Sequence, residues 1–220
     1  GTYLAELGFN LDFAPSADLS VVDGNAAGSS SYGSEADNVA SFAGYMQAGL
    51  QEQKVTACIG QFPGIGSSTQ STKDGMASTD RSAEDFRANE FAVFQTCIDN
   101  GMTKMIRISN MAASSLTGDN TPCTFSSAVV TDILRNELNF RGVIVSGAMN
   151  EAAISNYYGA DEAAVLALRA GCDMIYAPEN FETAYNGVLE AVQNGTISEE
   201  RINDSLRRIY RIKYADKLEQ

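Results

Sequence analysis

Histidine is absent from the 220-residue chain. Neither a Ser-His-Asp triad nor a Cys-His pair can be assembled, and no zinc site can draw on imidazole. Positive charge is scarce: 15 Lys and Arg stand against 28 Asp and Glu, a formal charge of −13. Phosphate binding needs a basic footprint, so this balance argues against nucleic acid as a partner and against an anionic membrane surface. No apolar run approaches the roughly 18 to 20 residues of a membrane span, and no signal-type hydrophobic region opens the sequence. Cys58, Cys97, Cys123 and Cys172 form no Cys-x-x-Cys pair, so neither a zinc nor a redox motif is indicated. They read as small buried hydrophobes. Gly64 and Gly66 lack the Lys-Ser/Thr that would complete a phosphate loop. We therefore expect no metal and no organic cofactor. The compartment is left open, with a lean to a secreted or cell-surface bacterial protein.

What the chain has is a core and a rhythm. Apolar residues make up 44%, enough to bury a sizeable interior. Phe9 to Ala14, Val55 to Gly60, Met105 to Ser109, Gly142 to Ser146 and Asp173 to Ala177 read as strands. Their nearly continuous apolar character suits parallel strands covered on both faces. Helices are expected between them. Ser82 with Asp85 forms a variant capping box, Ser126 or Ser127 is placed to cap the run from Val129 to Leu138, and Ser198 precedes Glu199 and Glu200. The last segment holds Arg201, Arg207, Arg208, Arg211, Lys213 and Lys217, which we take as a solvated outer face. Repeating strand-helix units imply an α/β fold with a parallel sheet, and no linker divides residues 1–220, so one domain is expected. The loops Gly24 to Ser34 and Gly64 to Gly75 follow strand C-termini, the edge where parallel α/β folds bind ligands.

Several stretches, in order, resemble the N-terminal barrel of glycoside hydrolase family 3, in its β-N-acetylhexosaminidase branch. LAELGFNLDFAPSAD (Leu4 to Asp18) is similar to the family's third-strand segment, and QFPGIG (Gln61 to Gly66) to its Lys-His-Phe-Pro-Gly-His-Gly loop. ILRNELNFRGVIVSGAMN (Ile133 to Asn150) resembles the segment entering the sixth strand and the nucleophile loop. ALRAGCDMIYAP and ISEERINDSLRRIYRIK, between Ala163 and Lys213, resemble the last strand and closing helices. The resemblance implies an incomplete (β/α)8 barrel comprising strands 3 to 8 and lacking the first two. An open flavodoxin-like sheet is the alternative. Two missing strands would leave unpaired edges, to be closed by a smaller core, by rearrangement, or by a second copy or partner chain.

The family's retaining chemistry needs a carboxylate nucleophile and a proton donor. The resemblance implies that this chain has lost both. Gly147 stands where the nucleophilic Asp belongs, and Ser71 and Lys73 stand where the Asp and His of the mobile loop belong. Gly60 and Gln61 replace a Lys and a His, Ile65 a second His, Asn110 a further His, and Ser30 an Arg. Phe62, Pro63, Gly64 and Gly66, which shape the backbone, remain. Asp74 and Glu151 lie just beyond the lost positions and are the candidate substitutes. Asp18 is retained, with capping a turn as its ordinary role. Asp18, Ser30, Gly60, Gln61, Asn110 and Met149 are the candidate sugar contacts. The first expectation is a non-catalytic homologue that binds an amino sugar or cell-wall glycan. The second is an active β-N-acetylhexosaminidase using relocated carboxylates. The third is an interaction protein that pairs through an exposed sheet edge.

Overall fold

A computed structural model describes residues 1–215, leaving Lys217 of the basic segment outside the described residues. The strands are β1 (Leu11–Asp12), β2 (Thr56–Phe62), β3 (Ser78–Thr79), β4 (Met105–Ile108), β5 (Ala112–Ala113), β6 (Val143–Ala148) and β7 (Met174–Tyr176). Five of them form one sheet in the order β1-β2-β4-β6-β7, every neighbour parallel, while β3 and β5 pair separately. Each segment read as a strand contributes to the main sheet, although Phe9 to Ala14 supplies only the two paired residues of β1. Adjacency in strict chain order is a half-barrel winding. A flavodoxin-like sheet would reverse its order at a switch point, so that alternative is corrected.

Alternation along each strand sorts the side chains into two layers. Ile59, Ile106 and Ile144 point outward into the main core with Val39, Ala43, Phe94, Leu134 and Ala167 from the covering helices. Cys58, Met105, Val143 and Val145 point inward with Leu11, Phe13, Met174 and Tyr176. Ile209 and Ile212 of the closing helix Glu199–Lys213 pack against this inner layer. The half-barrel thus fills part of its concave side with its own last helix. All four cysteines are free and buried.

The helix starts were legible at two places. Ser82 Oγ accepts the Asp85 N–H, and Ser198 Oγ accepts the Arg201 N–H. The third corrects the sequence reading: Ala128–Glu137 is a π-helix with no side-chain cap, and the N–H groups of Val129 and Val130 in its first turn donate instead to the Ser126 carbonyl. The solvated basic face is corrected in part: Arg207, Arg211 and Lys213 are exposed, but two of its members are not. Arg201 and Arg208 turn inward, and with Arg135 they surround the buried Asp173, whose Oδ1 lies 2.8 Å from Arg208 Nη1 and whose Oδ2 lies 2.9 Å from Arg135 Nη2. Asp173 also accepts from Ser205 Oγ and the Ile144 N–H. This cluster fastens the closing helix to the start of β7, because a carboxylate taken from water must regain its solvation from such donors. No helix among the described residues is long and apolar enough to cross a membrane.

Candidate functional site

The C-terminal strand ends open into a cleft with two adjoining lobes, of about 320 and 280 Å³. Ser30, Gln61 and Arg107 line both. That volume suits a sugar-sized ligand. The lobes differ in wall: one carries Ser71, Thr72, Lys73 and Glu151, the other Phe13, Gly60 and Tyr32.

Asp18 organises one side of the cleft. Its side chain is buried, and its two oxygens accept the Ile65 N–H (3.0 Å), the Gln61 N–H (3.1 Å) and the Ser16 hydroxyl (2.9 Å). Burial pushes its pKa up, while these donors and Arg107 oppose the rise. The carboxylate therefore braces the end of β2 and the loop that follows it. The same loop needs glycine at 66, where a Cβ would stand 1.6 Å from the Leu19 carbonyl oxygen. The kept loop glycine is explained by this approach of two backbones.

On the opposite side, β6 ends at a position with no room for a side chain. A Cβ on Gly147 would stand 2.0 Å from Asn110 Oδ1 and 2.4 Å from its Cγ. Asn110 is fully buried and is held there by its amide nitrogen, which donates to the Ala148 carbonyl (2.8 Å) and to Glu151 Oε2 (3.0 Å). The Gly147 N–H is taken by Thr124 Oγ1. Asn110 and Met149, both candidate contacts, lie beneath the surface and do not line the cleft. Glu151 does line it, beside Lys73, and the Ala153 N–H to Thr72 carbonyl bond ties its segment to the loop after β2. Asp74 is exposed and outside the cleft lining. Among the described residues no group of three or more Cys, Asp or Glu side chains could hold a metal ion.

The sequence reading missed Arg107. It sits inside a strand, MIRIS, and reads there as an isolated polar interruption of an apolar run. Only its placement shows it reaching the cleft: its guanidinium carbon lies 5.7 Å from the Phe13 ring centre and 6.0 Å from that of Tyr176. Those two rings meet 4.5 Å apart across the inner face, joining the two edge strands' ends. They form the floor on which the guanidinium rests.

Comparison with known proteins supplies the relatives. The family model described as the glycosyl hydrolase family 3 N terminal domain matches residues 1–212. A beta-hexosaminidase of Nitrosomonas eutropha is 33% identical over 174 residues, which is 78% of this chain and 49% of that protein. Beta-hexosaminidase A of Pseudoalteromonas piscicida is 24% identical, over 97% of this chain and 39% of its own length. A solved structure, the family 3 beta-N-acetylglucosaminidase of Paenibacillus sp. str. FPU-7, superposes with a TM-score of 0.95 at 32% identity, covering 100% of this chain and 42% of that one. The chain spans about half the length, or less, of these relatives.

Proposed function

The chain belongs to glycosyl hydrolase family 3, and from that membership we propose that it is a non-catalytic homologue whose strand-end cleft binds a sugar. One observation carries the reading: the amide of Asn110 fills the space that any side chain at Gly147 would need. The resemblance puts the family's nucleophile at that position. On that reading the position lacks not only the functional group but also the room for one.

The remaining groups support the same conclusion. Retaining hydrolysis needs a carboxylate at the anomeric carbon and an acid at the leaving oxygen. General acid help is worth about 10²- to 10⁴-fold, and the loop that should supply it offers the Ser71 hydroxyl and the Lys73 ammonium. Asp18 is committed to backbone donors. Glu151, half-buried, is the carboxylate on the wall of the Lys73 lobe, and it accepts from the Asn110 amide. A lone carboxylate leaves one of the two roles unfilled. What persists is a polar, sugar-sized cleft.

The test pairs binding with turnover on the same preparation. Calorimetry with N-acetylglucosamine should show saturable binding, while 4-nitrophenyl N-acetyl-β-D-glucosaminide should release no nitrophenol above the buffer rate. Turnover that disappears in Glu151→Gln would overturn the proposal in favour of relocated carboxylates. Absence of sugar binding would overturn it in favour of a role in protein interaction.

A further inference from the structure

We infer that Arg107 is the ligand-anchoring cation of the cleft and that the sugar it takes carries a carboxylate. This deepens the sugar-binding reading and rests on it. Four observations converge on the assignment. Arg107 lines both lobes, at their junction. Its guanidinium makes no ion pair within 4 Å and no hydrogen bond with a described residue, although its charge acts on the buried Asp18. Arg141, Arg169 and Arg211 also make no ion pair with a described residue but do not line the cleft. It is nonetheless held in place, against Phe13 and Tyr176. The fourth is that its stem packs closely on the neighbouring strand: a Cβ on Gly60 would stand 3.3 Å from Arg107 Cβ, a tight contact, and 3.5 Å from its Nε, an ordinary one.

A half-buried guanidinium with donors unspent is prepared for a planar oxyanion, which it binds with two parallel hydrogen bonds. The charges around it complete the case. Lys73 adds a second cation to the lobe, and Glu151 is the carboxylate facing them there. Asp18 lines the other lobe, but its oxygens are occupied by the Ser16, Gln61 and Ile65 donors. One negative charge on the ligand would balance the lobe. A doubly charged phosphate would overshoot that balance and meet the Glu151 charge in the same lobe. Ser30, Gln61, Ser71 and Thr72 supply hydroxyl and amide partners for the rest of a sugar ring.

Calorimetry on the 220-residue chain tests this with D-glucuronate, D-glucose, N-acetylglucosamine and glucose 6-phosphate at low ionic strength. Glucuronate should bind at least about tenfold more tightly than glucose. Arg107→Gln should remove that preference, and Arg107→Lys, which keeps the charge but not the fork, should retain part of it. A melting curve of each variant checks that the fold is intact. Equal affinity for glucuronate and glucose, or a preference that survives Arg107→Gln, would overturn the inference while leaving sugar binding in place. Tighter binding of glucose 6-phosphate would overturn the carboxylate assignment. Failure of all four sugars would overturn the sugar-binding reading itself.

Discussion

The amide oxygen of Asn110 stands 2.0 Å from the point where a Cβ on Gly147 would lie. The two residues sit on adjoining strand ends, after β4 and at the end of β6, and each constrains the other. Asn110 cannot swing away freely, because its nitrogen is shared between the Ala148 carbonyl and Glu151. Its oxygen has no partner among the described residues.

Gly147→Ala should therefore destabilise the fold by about 1 to 3 kcal/mol, the cost of overpacking a closed interior. Paired with Asn110→Ala, the penalty should fall short of the sum of the two single changes, with a coupling of at least about 0.5 kcal/mol. Urea denaturation of the four proteins of the cycle measures this. Strict additivity would mean that Asn110 is not what closes the site. For the same reason Gly147→Asp alone should restore no hydrolysis.

Asp173 is the second pressure point. Three guanidinium groups converge on its carboxylate, two of them from the closing helix. Burial draws the pKa of Arg135 down to about 10, a sign of how dry the cluster is. Asp173→Ala should cost about 3 to 5 kcal/mol, since it strands buried cations without a counter-charge. A melting temperature within a degree of the parent would contradict this.

Desolvation pushes the thiols of Cys58, Cys123 and Cys172 up to about 12 and that of Cys97 up to about 11. The thiolate is the reactive species, so none should react with Ellman's reagent at pH 8 in the native protein. All four should react once guanidinium unfolds the chain. Rapid labelling of the native protein would show that the core opens.

The raised pKa of Asp18 predicts a pH dependence. A carboxyl whose folded pKa lies above its unfolded value of 3.8 contributes stability that is fully present below 3.8 and is lost as pH rises through the folded pKa. Stability measured across that window should decline less steeply in Asp18→Asn than in the parent. Parallel slopes would mean that Asp18 does not titrate as its burial implies.

The strands were legible because five apolar runs without alternation leave little choice but a covered parallel sheet. The half-barrel winding was legible only through the resemblance, since an apolar run carries no information on strand order. Ser82 and Ser198 announced their helices, whereas neither Ser126 nor Ser127 is a side-chain cap, and Ser127 already has helical backbone angles (φ −62°, ψ −32°) where a cap is extended. The inward turn of Arg201 and Arg208 was hidden: a basic residue on an amphipathic helix reads as solvated until a buried acid is found facing it. Gly60 and Gln61 in the cleft, and Gly147 behind it, stand where the resemblance implies charged residues, and that much could be read position by position. That Asn110 fills the space beside Gly147, and that Arg107 packs against Gly60, depends on distances between strands and has no signature along the chain.

A mechanism-based 2-fluoro amino sugar followed by intact mass tests the central claim, because it reports whether any residue can attack an anomeric carbon. The account predicts an unchanged mass after prolonged incubation, with the parent protein still folded and still binding sugar by calorimetry. A single added glycosyl mass, mapped by peptide sequencing to Glu151 or Asp74, would contradict it and establish a relocated nucleophile.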